Sequence, residues 1–364
     1  EVLLQYDEGI SDEMLKSFLA KREAGLNVTI MTDGSYIPLA NRMRDEWGVK
    51  YDGSISFLPC MTGADGKCKD RVSAWSRDHF LLKKDGDDYT LLQPAKLQGY
   101  YKGPGEHHGG FEGGAFQKLR GRSVATSQLN FEGGHVVTGP NGVLISEDVL
   151  YRNPQHTREE IEAIFTRETG KPTRLMPNIP NWPHLDLYVT PTGDKTVTVG
   201  DSRAGAAMFR KFAADPGNAG SRVLTELREG KAGDGGWSDG VVNNVRAAGL
   251  LTMSETDAKK LDILAAKLES EGYTVQRMPM LTGRLGRNPI FTYNNAFQSG
   301  DNIYVPQYGI PDMDAAALEV YRRQGLNPVG IPAYDLAKYA GALHCSITAL
   351  KLRSSTNAPA VAKR

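Results

Sequence analysis

Five short segments concentrate the reactive side chains of this 364-residue chain. Ala74-Trp75-Ser76-Arg77-Asp78 sets an aromatic ring, a cation and a carboxylate in succession. Asn130-Phe131-Glu132-Gly133-Gly134-His135 puts a carboxylate beside two glycines that permit close backbone approach. Pro183-His184-Leu185-Asp186 is expected on a strand, where His184 and Asp186 would point to one face. Tyr293-Asn294-Asn295-Ala296-Phe297 adds side-chain amides, and Gly341-Ala342-Leu343-His344-Cys345-Ser346 presents a thiol beside a histidine.

Singly, each segment has an ordinary explanation. Asp78 would pair with its neighbour or cap a turn, and Glu132 would be a solvated loop charge. His184 and Asp186 would be structural or metal ligands, although the helical zinc-protease signature is missing. A lone buried cysteine is usually inert. Together they describe chemistry on a guanidinium, which is planar, permanently charged and rich in donors that carboxylates receive in bidentate fashion. Two acids would clamp the cation and hold its central carbon over a thiolate. The bound cation would itself lower the thiol pKa, and histidine would protonate departing ammonia and then deprotonate water.

The elements that must position these residues form a repeat. A β-rich run, a Gly/Asn/Asp turn and a second β-rich run recur at 79–83 with 89–92, 135–137 with 143–145, 185–189 with 196–199, and 296–297 with 303–305. Helix starts follow. Thr157 and Glu160 read as a capping box and Ser254 with Asp257 as a second helix start, while further helices are expected from Asp12 and from Asp312. Hairpin-plus-helix units spread along a chain imply a pseudo-symmetric α/β arrangement in one domain over 1–364. The Gly clusters at 103–105 and 233–236 do not join a strand to a helix, as a doubly wound nucleotide fold would require. The Gly-, Ala- and Arg-rich stretch 201–253 reads as a helical insertion.

Composition removes several functions. Lys+Arg and Asp+Glu both number 43, so no net charge draws nucleic acid or an anionic membrane, and no basic stripe or aromatic ladder suits nucleic acid. No apolar run approaches the ~20 residues of a membrane span. Hydrophobic residues at 40% supply a core, and 40 Gly with 19 Pro point to tight turns. Cys60 and Cys68 flank a Gly-containing loop and are candidates for a disulfide, which leaves Cys345 unpaired. The sequence opens at Glu1 with neither an initiator Met nor a signal peptide, so a leader already removed and a secreted or periplasmic protein are expected, with the cytoplasm as the alternative. Acidic stretches such as 85–88 and 234–239 do not match an EF-hand, and calcium dependence stays open.

The motifs occur in the order seen in one enzyme family. From about Ala74 to Thr348 the chain resembles the bacterial peptidylarginine deiminase and agmatine deiminase branch of the guanidine-modifying enzymes. The resemblance rests on Trp75-Ser76-Arg77-Asp78, Glu132-Gly133-Gly134, His184-Leu185-Asp186, Tyr293-Asn294-Asn295 with Val305-Pro306-Gln307-Tyr308-Gly309, and Ala342-Leu343-His344-Cys345. It implies a five-bladed α/β propeller of the pentein type with its active site on the axis, and no organic cofactor. It further implies Cys345 as the nucleophile that forms a thiouronium, His184 as acid and base, and Asp78 and Asp186 on the guanidinium nitrogens. Glu132 would orient histidine, and Trp75, Arg77 and Asn295 would contact substrate.

Agmatine deiminases continue the first motif as Arg-Asp-Thr-Gly-Pro, where this chain reads Arg77-Asp78-His79-Phe80-Leu81. Relatives specific for C-terminal arginine grip its carboxylate with two arginines, and the corresponding stretch Tyr101-Lys102-Gly103-Pro104-Gly105 has none. Peptidyl-arginine at internal positions, converted to citrulline and ammonia, is therefore the expected reaction. The alternatives are a small guanidine (agmatine, free or methylated arginine), amidinotransfer to an amine, and a propeller used only for binding. Phe111-Glu112-Gly113-Gly114 duplicates the second motif, and Glu132 is preferred because its downstream sequence fits the family.

Overall fold

The computed structural model describes residues 1–6, 11–32, 36–59, 75–85, 88–95, 123–179, 182–229, 255–283 and 287–350. Cys60, Cys68, the 101–105 stretch, the 111–114 duplicate and the Gly clusters at 103–105 and 233–236 lie outside the described residues, as does 234–239.

The strands assort into five small sheets. The first contains β1 (Val2–Tyr6), β2 (Val28–Thr32) and β3 (Ile55–Pro59), and the second β4 (Leu81–Asp85), β5 (Asp88–Gln93) and β6 (Ser123–Thr126). The third contains β7 (Val136–Thr138), β8 (Val143–Ser146) and β9 (Thr173–Met176). The fourth has β10 (Val189–Pro191), β11 (Thr196–Asp201), β12 (Thr274–Gly283) and β13 (Arg287–Thr292), and the fifth β14 (Phe297–Ser299), β15 (Asn302–Gln307) and β16 (Asn327–Pro332). Last in the chain, β17 (Ile347–Ala349) returns to pair antiparallel with β1 and completes the first sheet.

One rule builds every sheet. With the first sheet counted from β17, the first strand pairs antiparallel with the second, and the second pairs parallel with the third. Parallel neighbours need a crossover of a dozen residues or more, and among the described residues helices supply it in the first, third, fourth and fifth blades. Asp12–Lys21 joins β1 to β2, Arg158–Thr169 precedes β9, and Pro311–Arg323 joins β15 to β16. These are five blades of an α/β propeller, the repeat legible in the sequence.

Local chemistry fixes the crossovers. Arg158–Thr169 begins at the expected capping box, with Glu160 N–H donating to Thr157 Oγ1 and Thr157 N–H to Glu160 Oε2, and ends on Gly170 at φ 72°. Glu255–Ser270 buries Leu261, Leu264 and Leu268 on one stripe, and its expected cap Ser254 lies outside the described residues. Pro311–Arg323 starts one residue before Asp312, because proline at the first helical position sets φ without losing a bond. The stretch 201–253 contributes the helices Ser202–Ala214 and Arg222–Glu229 to the crossover of the fourth blade, and the rest of it lies outside the described residues.

One expectation is corrected. The segment 185–189 is not a continuous strand: Leu185–Leu187 is a 3₁₀ turn, and the strand begins at Val189. Leu187 N–H and Tyr188 N–H donate back to the carbonyls of His184 and Leu185, closing i to i+3 bonds instead of a ladder. His184 and Asp186 therefore meet different partners instead of sharing a strand face.

Candidate active site

All five chemical segments occupy one structural position. Each is the turn that leads into the first strand of its blade. Ser76–His79 precedes β4, Gly133–His135 precedes β7, Leu185–Leu187 precedes β10, the bend at 293–295 precedes β14, and the helical turn Leu343–Ser346 precedes β17. Pseudo-fivefold repetition thus brings residues far apart in sequence to one end of the axis.

The turns are hydrogen-bonded to each other round the ring. Ser76 Oγ donates to the Ser346 carbonyl at 2.6 Å, and Arg77 Nη2 to the Val136 carbonyl at 3.2 Å. His184 Nε2 donates to Glu132 Oε2 at 2.7 Å, linking the third blade to the fourth. Asn295 Nδ2 reaches the Asp186 carbonyl at 3.2 Å, and its Oδ1 accepts the backbone N–H of Ala342 and of Cys345 at 3.0 and 3.1 Å.

Glycine makes the contacts close enough. A Cβ on Gly133 would lie 1.9 Å from the Arg77 carbonyl oxygen, and one on Gly134 would lie 2.4 Å from His184 Nδ1. A Cβ on Gly341 would sit 2.4 Å from the Trp75 ring, so that ring packs directly over the turn carrying the thiol. Gly133→Ala meets backbone, which cannot swing aside. It is expected to destabilise the protein by about 1–3 kcal/mol, read as a lowered urea midpoint with unchanged slope.

At the centre, a ring nitrogen of His184, a carboxylate oxygen of Asp186 and Cys345 Sγ lie within 4.8 Å of one another. Cys345 is buried and, among the described residues, is the free cysteine. Its Sγ accepts from Asn295 Nδ2 at 3.1 Å and lies 3.5 Å from Asp186 Oδ2. That same Oδ2 accepts from His344 Nδ1 at 2.7 Å, while Asp186 Oδ1 meets no partner among the described residues. Asp78 Oδ1 accepts the Gly134 N–H at 3.4 Å and stands 4.0 Å from His184 Nδ1.

The charges are set by burial and proximity. Burial, with Asp186 and Asp78 nearby, pushes the Cys345 thiol well above its ordinary value. Burial opposes charge on His184, yet Asp78 and the Glu132 hydrogen bond outweigh it and push the imidazole up to about 9. Burial also raises Asp78, relieved only in part by His184 and reinforced by Glu132 and Asp186. Glu132 and Asp186 both fall below the ordinary carboxylate range against the pull of burial, through their bonds to His184 and His344 respectively. His344 itself is lowered by burial and by Arg77, so a neutral ring donates to Asp186. The resting site therefore pairs a protonated histidine with a neutral thiol.

Behind the predicted residues stands a group that sequence reading did not single out. Arg152 Nη1 donates to Glu132 Oε1 at 3.2 Å and its Nε to Asp148 Oδ2 at 3.0 Å. Glu132 N–H donates to His135 Nδ1 at 2.9 Å, which places the proton on Nε2, 3.1 Å from Asp148 Oδ2. The i, i+4 spacing of Asp148 and Arg152 was the available sign, but it is common on any helix. Arg77, expected on the substrate, is buried and lines a cavity with Asp186 and His344.

Two donor sets, Glu132 with His135 and His184, and His184 with Asp186 and Cys345, are close enough to share a metal ion. Both include His184, so an ion at either set would have to displace the imidazole proton. Among the described residues no helix is long and apolar enough to cross a membrane.

No protein-family model matches the sequence, and no curated protein matches it. Solved structures do. A structure provisionally named a peptidyl-arginine deiminase aligns with TM-score 0.63 at 15% identity, over 95% of this chain and 94% of that one. The C. jejuni agmatine deiminase aligns with TM-score 0.59 at 14% identity, over 95% and 92%. The Enterococcus faecalis agmatine deiminase aligns with TM-score 0.58 at 14% identity, over the same shares. The chain has the pentein-type propeller fold of these deiminases.

Proposed function

We propose that the protein hydrolyses guanidinium groups to ureido groups and ammonia, with peptidyl-arginine as substrate and internal arginines accepted. The observation that carries this reading is the grouping of a thiol, an imidazolium and unpaired carboxylate capacity at one end of the propeller axis. Asp78 and Asp186 Oδ1 supply acceptors for a cationic substrate. A guanidinium between them would offset the burial and the neighbouring negative charge that raise Asp78 and the Cys345 thiol, so binding favours the thiolate, its proton passing to solvent.

Sγ then bonds to the guanidinium carbon, and the C–N bond breaks as His184 protonates the departing nitrogen. The same imidazole, now neutral, takes a proton from water. The water oxygen bonds to carbon, the S–C bond breaks as the carbonyl forms, and the second water proton passes to the departing sulfur, which restores the neutral thiol. Glu132, held by Arg152, keeps His184 turned to this task.

The kcat/KM profile against pH should be bell-shaped. Activity rises with pH as Asp78 ionises, on a limb displaced above the ordinary carboxylate range, and falls near pH 9 as His184 loses its proton. A profile flat through pH 9 would remove His184 from the acid role.

The agmatine deiminase structures among the matches favour a second reading, the same chemistry on a small guanidine. Incubation with a mixed peptide pool, agmatine, free arginine and methylated arginine, followed by mass spectrometry, separates the two. Exchange of an imino group for oxygen at internal arginines is expected. Citrulline only at C-termini, or conversion of agmatine alone, would overturn the peptide reading, and ammonia release without added amine excludes amidinotransfer.

A further inference from the structure

On the other side of Asp186 lies a cavity of about 350 Å³ along the propeller axis. The first strand of every blade contributes to its wall, through Leu82, Val137, Val189, Phe297 and Ile347. Its inner end is formed by Arg77, Asp186 and His344, while Asp78, Glu132, His184 and Cys345 do not line it. Its mouth is ringed by hairpin-turn residues, Gly139 and Pro140 of the third blade, Thr192 of the fourth and Gly300 of the fifth. The site turns begin the inner strands and the hairpin turns end them, so the cavity runs from the back of the site to the opposite face.

Two buried polar atoms at the inner end, Arg77 Nε and Asp186 Oδ1, meet no partner among the described residues. One donates and the other accepts. A molecule that passes these residues must be small and carry no charge that either Arg77 or Asp186 would repel. Water and ammonia fit that description.

We propose that this axial cavity is the passage by which ammonia leaves the site and the hydrolytic water enters. The proposal rests on the deiminase reading above and extends it. While the thiouronium exists, the rest of the substrate is still bonded to Cys345 and fills the side by which it came. Ammonia must nevertheless depart and water arrive before the S–C bond can break. The nitrogen held by Asp186 Oδ1 stands, once the C–N bond is cut, at the inner end of a route to solvent. The Arg77 guanidinium inside and the Lys171 ammonium at the mouth favour passage of neutral ammonia over ammonium.

Plugging the mouth tests this. Thr138 is exposed and Gln298 half-buried, and both line the cavity outside the reacting groups. Thr138→Trp and Gln298→Trp, each checked for an unchanged melting temperature, are expected to lower kcat by about tenfold with KM for the guanidine not raised, as for any enzyme limited by release. Quenched protein should carry a larger fraction of the Cys345 adduct than the unaltered protein does. A folded variant of either kind with unchanged kcat and adduct fraction overturns the passage. If the unaltered protein releases no ammonia from any guanidine, the deiminase reading fails instead, so the two failures are distinct.

Discussion

Replacing Cys345 with alanine should reduce ammonia release by roughly 10⁴-fold or more, the scale on which losing a nucleophile acts in enzymes whose groups work as a unit. The thiol is the atom to which Asn295 Nδ2, the Asp186 carboxylate and a ring nitrogen of His184 all converge. No other described side chain near the cation acceptors is a comparable nucleophile, and Ser346, the adjacent hydroxyl, donates to the Ala342 carbonyl at 3.0 Å. The variant should keep its fold, because Asn295 is held through the Ala342 and Cys345 backbone N–H groups, which alanine retains. A folded Cys345→Ala protein with full turnover would remove the thiol from the reaction. Ammonia release under saturating substrate, with circular dichroism as the fold control, decides the matter.

His184→Gln should lower kcat by about 10²–10⁴-fold while substrate binding changes less, because proton transfer and not cation binding is lost. Glutamine can still donate to Glu132 Oε2, where His184 Nε2 now donates at 2.7 Å, so the geometry of that partner is kept. What glutamine cannot do is protonate ammonia or accept a proton from water near neutral pH. The alkaline limb of the pH profile, assigned to an imidazole pushed up to about 9, should vanish in the residual activity. Retention of that limb would assign it to another group.

Much of this arrangement was readable before any coordinates. The Gly/Asn/Asp turns between β-branched runs announced the hairpins, and their repetition a pseudo-symmetric α/β arrangement, because turn chemistry and period-two patterning are local properties, while the five-bladed propeller was what the family resemblance implied. The five chemical segments were found for the same reason: each is a short run whose residue types are rare in combination. Their shared structural position was not readable, since it depends on how blades close in space and on β17 returning to β1. The 3₁₀ turn at Leu185–Leu187 also escaped, because alternating Leu185 and Leu187, both buried, mimic a strand pattern. Arg152, Asp148 and His135 were missed as a group because their function lies in what they hold, Glu132, and not in any motif of their own. Arg77, expected on the substrate from its adjacency to Asp78, is buried with Nη2 on the Val136 carbonyl, a contact its neighbours in sequence do not announce.

The central claim is that one sulfur, set at the meeting point of five equivalent turns, bonds to the carbon of a guanidinium. Intact-mass measurement of protein quenched during turnover, followed by peptide mapping, tests it most directly. The account predicts an adduct on Cys345 with the mass of the substrate less ammonia, present in the unaltered protein during turnover and absent from Cys345→Ala. Ureido product formed at full rate with no adduct on Cys345 at any quench time would contradict it.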